Sequence, residues 1–331
     1  MVRVLITGAG GFVGPHFAAA VARLLGGAAE IIATSKSGGE YQPFGRVLPF
    51  DVTDEAAAAA LIAELKPTHV INLAGIAAVM AASHDPDAAW RVHLQGTLNL
   101  ARAILRTCPM CWLLNAGSGL VYGYSANLGH PLDEATLLDP TDEYSASKAS
   151  ADLALGVFAR RGLRCIRLRP FNHIGPGQSE DFVVTSLAMQ VACIEEGLSP
   201  PVIRIGNLNS QRDFLDVRDV ADAYARVVKD SERLPSGLII NIASGVPRRI
   251  ADILDTLIAN CSVAVAVEHD PGRIRPNDLP VIIGNSCRAR KLLDWTPCYD
   301  FEQTLLDILD YCRRVARARR ATAPDYNSLR Q

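Results

Sequence analysis

The sequence has no strong excess of charge of either sign, since only 21% of its residues are charged and the formal net charge is -2. Such a balance gives no general field for nucleic acid or for an acidic membrane surface. No run of about 18 apolar residues occurs, so no transmembrane helix is predicted. The chain opens on Met-Val-Arg-Val-Leu-Ile-Thr, which has no signal-peptide architecture. Neither nucleic acid nor a membrane is therefore expected as a partner.

The eight cysteines lack a disulfide-like pattern, which predicts a cytoplasmic protein with reduced thiols. Cys108 and Cys111 have the spacing of half a zinc site, but no second pair exists, so no metal site is expected. Internal repeats and low-complexity linkers are missing as well. The chain is long, with 331 residues, of which 49% are hydrophobic. This is more than a single hydrophobic core usually contains, so two lobes are predicted.

The first strand is followed at once by glycines and then by a helix. Arg3–Thr7 has the pattern of a short buried strand, and a helical run extends from Pro15 to Leu25. The Gly-x-x-Gly-x-x-Gly segment between them allows a tight turn, close approach to a pyrophosphate and close packing of helix on strand. A plain glycine-rich turn is the alternative. The order predicts nucleotide binding at Gly8, Gly11, Phe12 and Val13, with Gly14 as the third glycine.

The second strand, Glu30–Thr34, has no acidic residue at its end. An acidic side chain there would bind the ribose 2′-hydroxyl of NAD and repel the 2′-phosphate of NADP. The chain continues instead with Ser35 and Lys36, a hydroxyl and a cation that suit a phosphate. This favours NADP(H), with NAD(H) possible and a solvated turn as the alternative for these two residues.

Three further buried strands begin near Arg46, His69 and Trp112 and alternate with helices. This alternation specifies an α/β fold with a Rossmann-type, doubly wound parallel sheet. Ligands of such sheets lie at the carboxyl ends of the strands. The further cofactor contacts expected at these ends are Asp51, Val52, Leu73, Ala74 and Gly75.

Tyr144 and Lys148 lie four residues apart in a segment that is typical of a helix. Residues at this spacing share one helix face, and a cation beside a phenol favours the phenolate. We therefore expect the pKa of Tyr144 to fall from about 10 towards the working pH, where a general acid or base is most useful. By itself the pattern is more often a solvated helix face.

Ser118 lies at a strand end ahead of Val121-Tyr122-Gly123. With the three glycines, Tyr144 and Lys148 in this order and spacing, residues 1 to about 320 resemble the extended short-chain dehydrogenase/reductases that act on nucleotide sugars. The resemblance implies that Tyr144 is the general acid/base, that Lys148 holds the nicotinamide ribose and lowers the pKa of Tyr144, and that Ser118 hydrogen-bonds the reacting oxygen. For Ser118 alone, a hydroxyl that caps the backbone is the alternative.

Three segments of the C-terminal half, 169–178, 206–219 and 273–278, look like those with which GDP-hexose enzymes of this family bind their substrate. Arginines near amide and carboxylate groups suit a pyrophosphate, a guanine edge and ribose hydroxyls. For any one arginine, a surface salt bridge is the alternative. The expected substrate contacts are Ser118, Asn172, Asn207, Arg212, Arg275 and Asp278.

Two positions depart from the wider family. Leu120 stands where related 4,6-dehydratases carry a glutamate that removes the C5 proton, and a leucine cannot abstract a proton. His93 stands where relatives often have asparagine. The resemblance then implies NADP(H)-dependent reduction of the C4 keto group of GDP-4-keto-6-deoxy-D-mannose to GDP-D-rhamnose. The alternatives are an NAD-dependent 4-epimerase or 4,6-dehydratase and, in another class, a non-catalytic NADP-sensing regulatory protein.

Residues 1–172 are expected to form the dinucleotide-binding domain, with 214–243 returning to it. Residues 173–213 and 244–320 are expected to form a smaller C-terminal α/β lobe that binds the substrate, and 321–331 a mobile tail. The resemblance also implies that the helices at 90–106 and 144–160 pair across a two-fold axis into a four-helix bundle, so a homodimer is expected.

Overall fold

The computed structural model describes residues 1–273 and 279–322. The strands in these ranges are β1 Val2–Thr7, β2 Ala29–Ser35, β3 Gly39–Tyr41, β4 Gly45–Pro49, β5 His69–Asn72, β6 Trp112–Ala116, β7 Arg164–Pro170, β8 Asn172–Ile174, β9 Val202–Ile205, β10 Gln211–Asp216, β11 Leu238–Ile242, β12 Pro247–Arg249, β13 Ala266–His269 and β14 Val281–Ile282. The α-helices are α1 Val13–Leu25, α2 Glu55–Leu65, α3 Val79–His84, α4 Pro86–Trp90, α5 Gly96–Thr107, α6 Glu143–Arg160, α7 Val183–Glu195, α8 Val217–Asp230, α9 Ile250–Ala259, α10 Cys287–Leu293 and α11 Phe301–Thr322. A π-helical turn at Arg91–Gln95 joins α4 to α5, and a 3₁₀ segment covers Gly119–Leu128.

The main sheet has eight strands in the order β11-β7-β6-β5-β1-β2-β4-β3. Seven of these strands are parallel to their neighbours, and β3 alone pairs antiparallel, at the edge beside β4. The predicted doubly wound parallel sheet is therefore confirmed. The antiparallel edge strand was not predicted, because its three residues are too few to give a periodic pattern.

Helices cover both faces of this sheet, as the alternation of buried strand residues requires. On one face, Phe17 of α1 and Tyr224 of α8 pack with Ile6 of β1. On the other face, Ile62 of α2 and Leu155 of α6 pack with Leu5, the neighbour of Ile6 in the same strand. The carboxyl ends of the strands are thereby left as the edge at which a ligand can lie.

The start of α6 is fixed by its own sequence. The carboxylate of Asp142 accepts a hydrogen bond from the backbone nitrogen of Ser145 at 2.8 Å, and Glu143 places a negative charge in the first turn. Both features stabilise the positive end of a helix. Tyr144 therefore lies in the first turn of a well-capped helix, where its backbone is held firmly.

The chain forms two compact units. Unit 1 contains residues 1–173, 212–247 and 281–298, and unit 2 contains 174–211, 248–280 and 299–331. The predicted boundaries differ from these units mainly at 281–298, which was assigned to the second lobe, and by a few residues at 173, 212–213 and 244–247. Trp295 of this segment is 1% exposed and donates its indole N–H to the Asp219 carbonyl oxygen at 3.0 Å, which ties the segment to α8 of unit 1.

Two segments were predicted to return to the main sheet. Leu238–Ile242 does so as β11, which pairs with β7. The segment that begins at Phe214 differs, because β10 pairs with β8 and β14 in a short second sheet, and only α8 returns, to pack beside α1.

Asp213 of β10 joins chain segments that are far apart in the sequence of unit 1. Its buried carboxylate accepts hydrogen bonds from the backbone nitrogens of Ser244, Gly245 and Gly284 at 2.8 to 3.1 Å, and from the Ser244 hydroxyl at 2.6 Å. Four donors offset much of the cost of burying one carboxylate.

All eight cysteines are free thiols. Among residues 1–273 and 279–322, no helix is both long and apolar enough to cross a membrane.

Candidate active site

The glycine-rich loop between β1 and α1 is built so that only glycine fits at two of its positions. Gly8 has a φ of +69°, and a Cβ there would lie 2.8 Å from the backbone of Ala74. At Gly14 a Cβ would lie 2.0 Å from the Ala9 carbonyl oxygen. Gly11 is exposed, and the first turn of α1 lacks a side-chain cap. Exposed backbone N–H groups at a helix start fit the pyrophosphate of a dinucleotide.

Ser35 and Lys36 lie together at the carboxyl end of β2. The Ser35 hydroxyl is buried and has no hydrogen-bond partner among the described residues, so a polar ligand atom at this place would satisfy it. The Lys36 side chain is 84% exposed, and its Nζ lies 3.1 Å from the carboxylate of Asp51 at the end of β4. Hydrogen bonds from Thr53 and, secondarily, Lys36 outweigh desolvation and lower the pKa of Asp51. The sequence did not predict this ion pair.

The residues after β5 contact both the glycine-rich loop and the side chains around Tyr144. Leu73 donates its backbone N–H to the Thr7 carbonyl oxygen at 3.1 Å, and Ala74 packs beside Gly8. A Cβ at Gly75 would lie 3.3 Å from both the Nε2 of His93 and the Nζ of Lys148, so this glycine brings the loop close to both side chains. Val52 differs, because its side chain is 4% exposed and packs on α5.

Tyr144 and Ser118 meet at the carboxyl end of β6. Both side chains are buried, and the Ser118 hydroxyl lies close enough to the phenol to lower the pKa of Tyr144. The Ser118 Oγ also accepts a hydrogen bond from the backbone nitrogen of Leu120 at 3.1 Å. The backbone cap and the contact with Tyr144 are therefore both present, and the cap fixes where the Ser118 hydroxyl points.

The expected lowering of the pKa of Tyr144 by Lys148 is wrong. Burial raises the pKa of Tyr144 above its ordinary value, and the nearby Ser118 hydroxyl offsets this only in part. The Lys148 Nζ donates to the Ala116 carbonyl oxygen at 3.0 Å, and burial lowers its own pKa to about 8. Helix geometry places Tyr144 and Lys148 on one face, but desolvation by the surrounding core decides the pKa of each side chain.

His93 links the loop after β5 to the start of α6. Its Nε2 accepts a hydrogen bond from the backbone nitrogen of Ile76 at 3.0 Å, so in the neutral ring the proton is on Nδ1, which donates to the Ser147 hydroxyl at 2.8 Å. Ser147 in turn donates to the Tyr144 carbonyl oxygen at 2.8 Å. The His93 ring meets the Tyr144 ring edge to face, with centroids 5.4 Å apart. Burial, and then the charge of Lys148, lower the pKa of His93 to about 2, so the ring is neutral.

A buried ion pair anchors α6 two turns beyond Tyr144. Asp152 accepts two hydrogen bonds from Arg169 of β7, at 2.8 and 3.0 Å, and Arg169 also donates to the Tyr122 hydroxyl at 2.9 Å. Arg169 was predicted to belong to a substrate-binding segment, but its side chain is only 3% exposed. It therefore holds α6 and the 3₁₀ segment after Ser118 together from inside.

The polar network at the ends of β1, β5 and β6 was not found from the sequence. Thr7 donates to Asn72 at 2.7 Å, Asn72 donates to Asn115 at 2.9 Å, and Thr97 donates to the His93 carbonyl oxygen at 2.6 Å. The signal that was available is an asparagine at the end of two otherwise apolar strands. Such a network holds the carboxyl ends of these strands in fixed register.

Leu120 is half-buried and packs on the apolar cluster formed by Ala82, Ala89 and Tyr144. No proton acceptor is available at this position.

The predicted substrate contacts fall in different parts of the chain. Asn172 and Arg212 are half-buried residues of unit 1, in β8 and β10, and the ring of His173 stacks on Phe12 at 6.1 Å. Asn207 belongs to unit 2, where its side chain accepts a hydrogen bond from the backbone nitrogen of Asn209 at 3.0 Å. Arg275 and Asp278 lie outside the described residues.

Tyr144 is a buried phenol in a parallel sheet fold of the dinucleotide-binding type. A phenol in such a site can transfer a proton to or from an oxygen while a nicotinamide exchanges a hydride with the attached carbon. The fold and site therefore define the class of the NAD(P)-dependent short-chain dehydrogenases/reductases.

Comparison with known proteins agrees with this class and narrows it. Residues 4–243 match the model of the NAD dependent epimerase/dehydratase family, and the chain belongs to this family. It is 33% identical over 319 residues to the GDP-6-deoxy-D-mannose reductase of Pseudomonas aeruginosa, covering 95% of this chain and 98% of the relative.

Solved structures give the same result. The structure of RMD from Pseudomonas aeruginosa in complex with NADPH matches with a TM-score of 0.81 and 30% sequence identity. The match covers 95% of this chain and 100% of the RMD chain. The UDP-glucose 4-epimerase of Thermus thermophilus in complex with NAD has a TM-score of 0.79 and 27% identity, covering 94% of this chain and 99% of the other. The protein is thus an NAD(P)-dependent enzyme of a superfamily of nucleotide-sugar reductases, epimerases and dehydratases.

Proposed function

We propose that the protein reduces the C4 keto group of GDP-4-keto-6-deoxy-D-mannose with NADPH and forms GDP-D-rhamnose. The observation that carries this proposal is Leu120, which packs on Tyr144 where dehydration would need a base. Ser118, Tyr144 and Lys148 are present beside it, so proton and hydride transfer remain available. The similarity to a GDP-6-deoxy-D-mannose reductase and to an NADPH-bound structure supports the same reaction.

In this proposal the bound nicotinamide supplies the hydride that is added to C4. Tyr144 donates the proton to the C4 oxygen, because its raised pKa keeps the phenol protonated at neutral pH. Ser118, whose hydroxyl is fixed by the Leu120 backbone, orients that oxygen. Lys148 lies beside Gly75 and would hold the ribose of a bound nicotinamide. One hydride and one proton are transferred, which balances the reduction of a ketone to an alcohol.

The proposed cofactor is NADP(H), with NAD(H) as the alternative. Support comes from the end of β2, where the buried Ser35 hydroxyl has no partner within the described part of the chain and Lys36 is exposed. Lys36 already has a carboxylate neighbour in Asp51, so the 2′-phosphate would compete with Asp51 for this cation.

The proposed substrate contacts are Asn172, Asn207, Arg212, Arg275 and Asp278, together with Ser118. If the arginines hold the pyrophosphate, their contacts exist in the ground state and the transition state alike. Arg212→Ala is then expected to raise the KM for the sugar nucleotide with a smaller effect on kcat. An unchanged KM would argue against this assignment.

The decisive experiment is incubation of the protein with NADPH and GDP-4-keto-6-deoxymannose. Loss of nicotinamide absorbance is followed, and the product is identified by NMR as GDP-D-rhamnose. Tyr144→Phe keeps the ring and its packing but removes the acid, so the rate should fall by about 10²–10⁴-fold while the Kd for NADPH changes little. A rate close to that of the wild type would refute the assigned role. Absence of NADPH oxidation by the wild type would refute the reaction, and an epimerised product would favour a 4-epimerase.

A homodimer through α5 and α6 is proposed on the family resemblance and on the outer face of α6. Leu153 and Val157, four residues apart on this face, are 59% and 45% exposed. A partner helix would cover them. Light scattering should give twice the monomer mass for the wild type and the monomer mass for Leu153→Glu, and a monomeric wild type would contradict the proposal.

A further inference from the structure

The hairpin after β2 contains two glycines that the backbone requires. Gly38 has a φ of +61°, and a Cβ there would lie 2.9 Å from the Pro49 nitrogen. Gly39 follows with a φ of +125°. Only glycine adopts two such conformations in succession without strain. The turn sends the chain back along β4 as β3, which ends at Tyr41.

This hairpin places the ring of Tyr41 against the glycine-rich loop. A Cβ on Gly10 would lie 3.4, 3.5 and 3.6 Å from the Cε1, Cζ and Cδ1 atoms of Tyr41. Three neighbouring ring atoms at nearly equal distances mean that the ring presents its face to Gly10. On Gly39, a Cβ would approach one ring atom, Cε2, at 3.2 Å, while the next lie near 4 Å, so this glycine meets the ring edge.

Core packing does not account for this position. Tyr41 is 36% exposed, whereas Phe44, three residues further in the same hairpin, packs against the core. The Tyr41 hydroxyl forms no hydrogen bond within residues 1–273 and 279–322, although it lies one bond beyond a carbon that is next to Gly10. A rigid aromatic donor is therefore held at the rim of the loop with its polar end open to a ligand.

The ligand that lies on this loop is the cofactor. In dinucleotide folds the pyrophosphate lies on the glycine-rich loop and the adenosine ribose at the end of β2. Gly10 belongs to the loop, and Tyr41 follows Lys36 by five residues. Gly38, which precedes Gly39, donates its backbone N–H to the Ser35 carbonyl oxygen at 3.2 Å, so the turn that contains Gly39 begins beside Ser35. The Tyr41 ring contacts both Gly10 and Gly39 and is therefore held next to the glycine-rich loop and the turn after β2, the two regions where the adenosine half of the cofactor binds in dinucleotide folds.

We propose that Tyr41 is a cofactor-binding residue that determines specificity. Its ring forms a wall of the adenosine side of the groove, and its hydroxyl donates a hydrogen bond to the phosphate on the ribose 2′ position. This proposal rests on the proposed preference for NADP(H), to which it adds a neutral donor beside the cation of Lys36. The Tyr41 hydroxyl can bind the phosphate without giving up a contact with Asp51, whereas Lys36 is already paired with that carboxylate.

Calorimetric binding of two adenosine fragments tests the proposal without any turnover. The fragments are 2′,5′-ADP, which carries the 2′-phosphate, and 5′-AMP, which does not. Tyr41→Phe should weaken 2′,5′-ADP about tenfold, the effect of losing one hydrogen bond to a charged group, and should leave 5′-AMP within about twofold. Tyr41→Ala should weaken both fragments, because the wall is lost as well. Tyr299→Phe, at a comparably exposed tyrosine of unit 2, is the matched control and should change neither.

The outcomes separate this proposal from the one on which it rests. If the wild type prefers 2′,5′-ADP and Tyr41→Phe keeps that preference in full, the role of Tyr41 is overturned while the choice of cofactor stands. If the wild type binds both fragments equally, the preference for NADP(H) is itself overturned, and the role of the hydroxyl with it. Thermal unfolding of each variant, monitored by circular dichroism, verifies that the fold is kept.

Discussion

Lys148→Met is expected to make the protein more stable at neutral pH. Burial lowers the pKa of Lys148 from its ordinary value of 10.5 to about 8. A pKa difference of one unit corresponds to about 1.4 kcal/mol, so carrying this charge inside the fold costs about 3 kcal/mol. Methionine fills a similar volume without a charge, so the free energy of unfolding should rise by up to about that amount at pH 7.

The pH dependence gives the sharper test. Between pH 8 and 10.5 the unfolded chain keeps the Lys148 proton and the folded protein loses it, so wild-type stability rises with pH across this window relative to Lys148→Met. Above that window the cost has gone, and the advantage of the variant should vanish. Urea unfolding of both proteins from pH 7 to 11 measures this difference, and Lys229→Met, at an exposed lysine of α8, is the control. A constant difference between wild type and Lys148→Met at all these pH values would refute the reasoning.

Three further predictions concern the anchor of α6, the cofactor and the reaction. Asp152→Ala should lower the free energy of unfolding by about 3–5 kcal/mol, because it leaves the buried Arg169 charge unpaired. Adding Arg169→Leu to Asp152→Ala should recover part of the lost stability. A double variant that is no more stable than Asp152→Ala would contradict the role of the ion pair. Lys36→Ala should weaken NADPH by roughly 1–2 kcal/mol and NADH less, as measured by fluorescence titration, and equal weakening of both would argue against the NADP(H) assignment. Given GDP-mannose and oxidised cofactor, the protein should form no 4-keto-6-deoxy product, since Leu120 cannot act as a base; detection of that product by NMR would favour a dehydratase.

Local sequence patterns were sufficient to predict the alternating strands and helices of the main sheet. The succession of β1, glycines and α1 could be read from a dozen residues, because each requirement is local to the chain. The spacing of Tyr144 and Lys148 likewise follows from helix geometry, and Asp142 provides a recognisable cap. The carboxyl ends of parallel strands share one edge, which predicts the side of the sheet on which Ser118 lies; that Ser118 and Tyr144 act together was implied by the family resemblance.

Properties set by long-range packing could not be predicted in this way. The pKa of Tyr144 moved in the direction opposite to that expected, because desolvation depends on residues such as Ala82 and Ala89, which are distant in the sequence. Arg169 had the sequence context of a substrate ligand, and only the fold shows that Asp152 pairs with it inside the protein. The position of Tyr41 depends on a three-residue edge strand that leaves no periodic signal.

The order in which unit 1 is completed has a consequence for its synthesis. Gly284 supplies a donor to Asp213, and Trp295 covers α8, yet both are made more than 120 residues after the end of the catalytic helix α6 at Arg160. A ribosome adding roughly 5–20 residues per second needs about 6–25 s to pass from residue 173 to residue 298. During that interval the nascent chain holds a finished glycine-rich loop and catalytic helix beside an uncovered apolar face and a carboxylate without its full set of donors. A chain that stops after Pro280 should therefore be digested by a protease at concentrations that leave the whole protein intact, and equal resistance of the two would contradict this order of assembly.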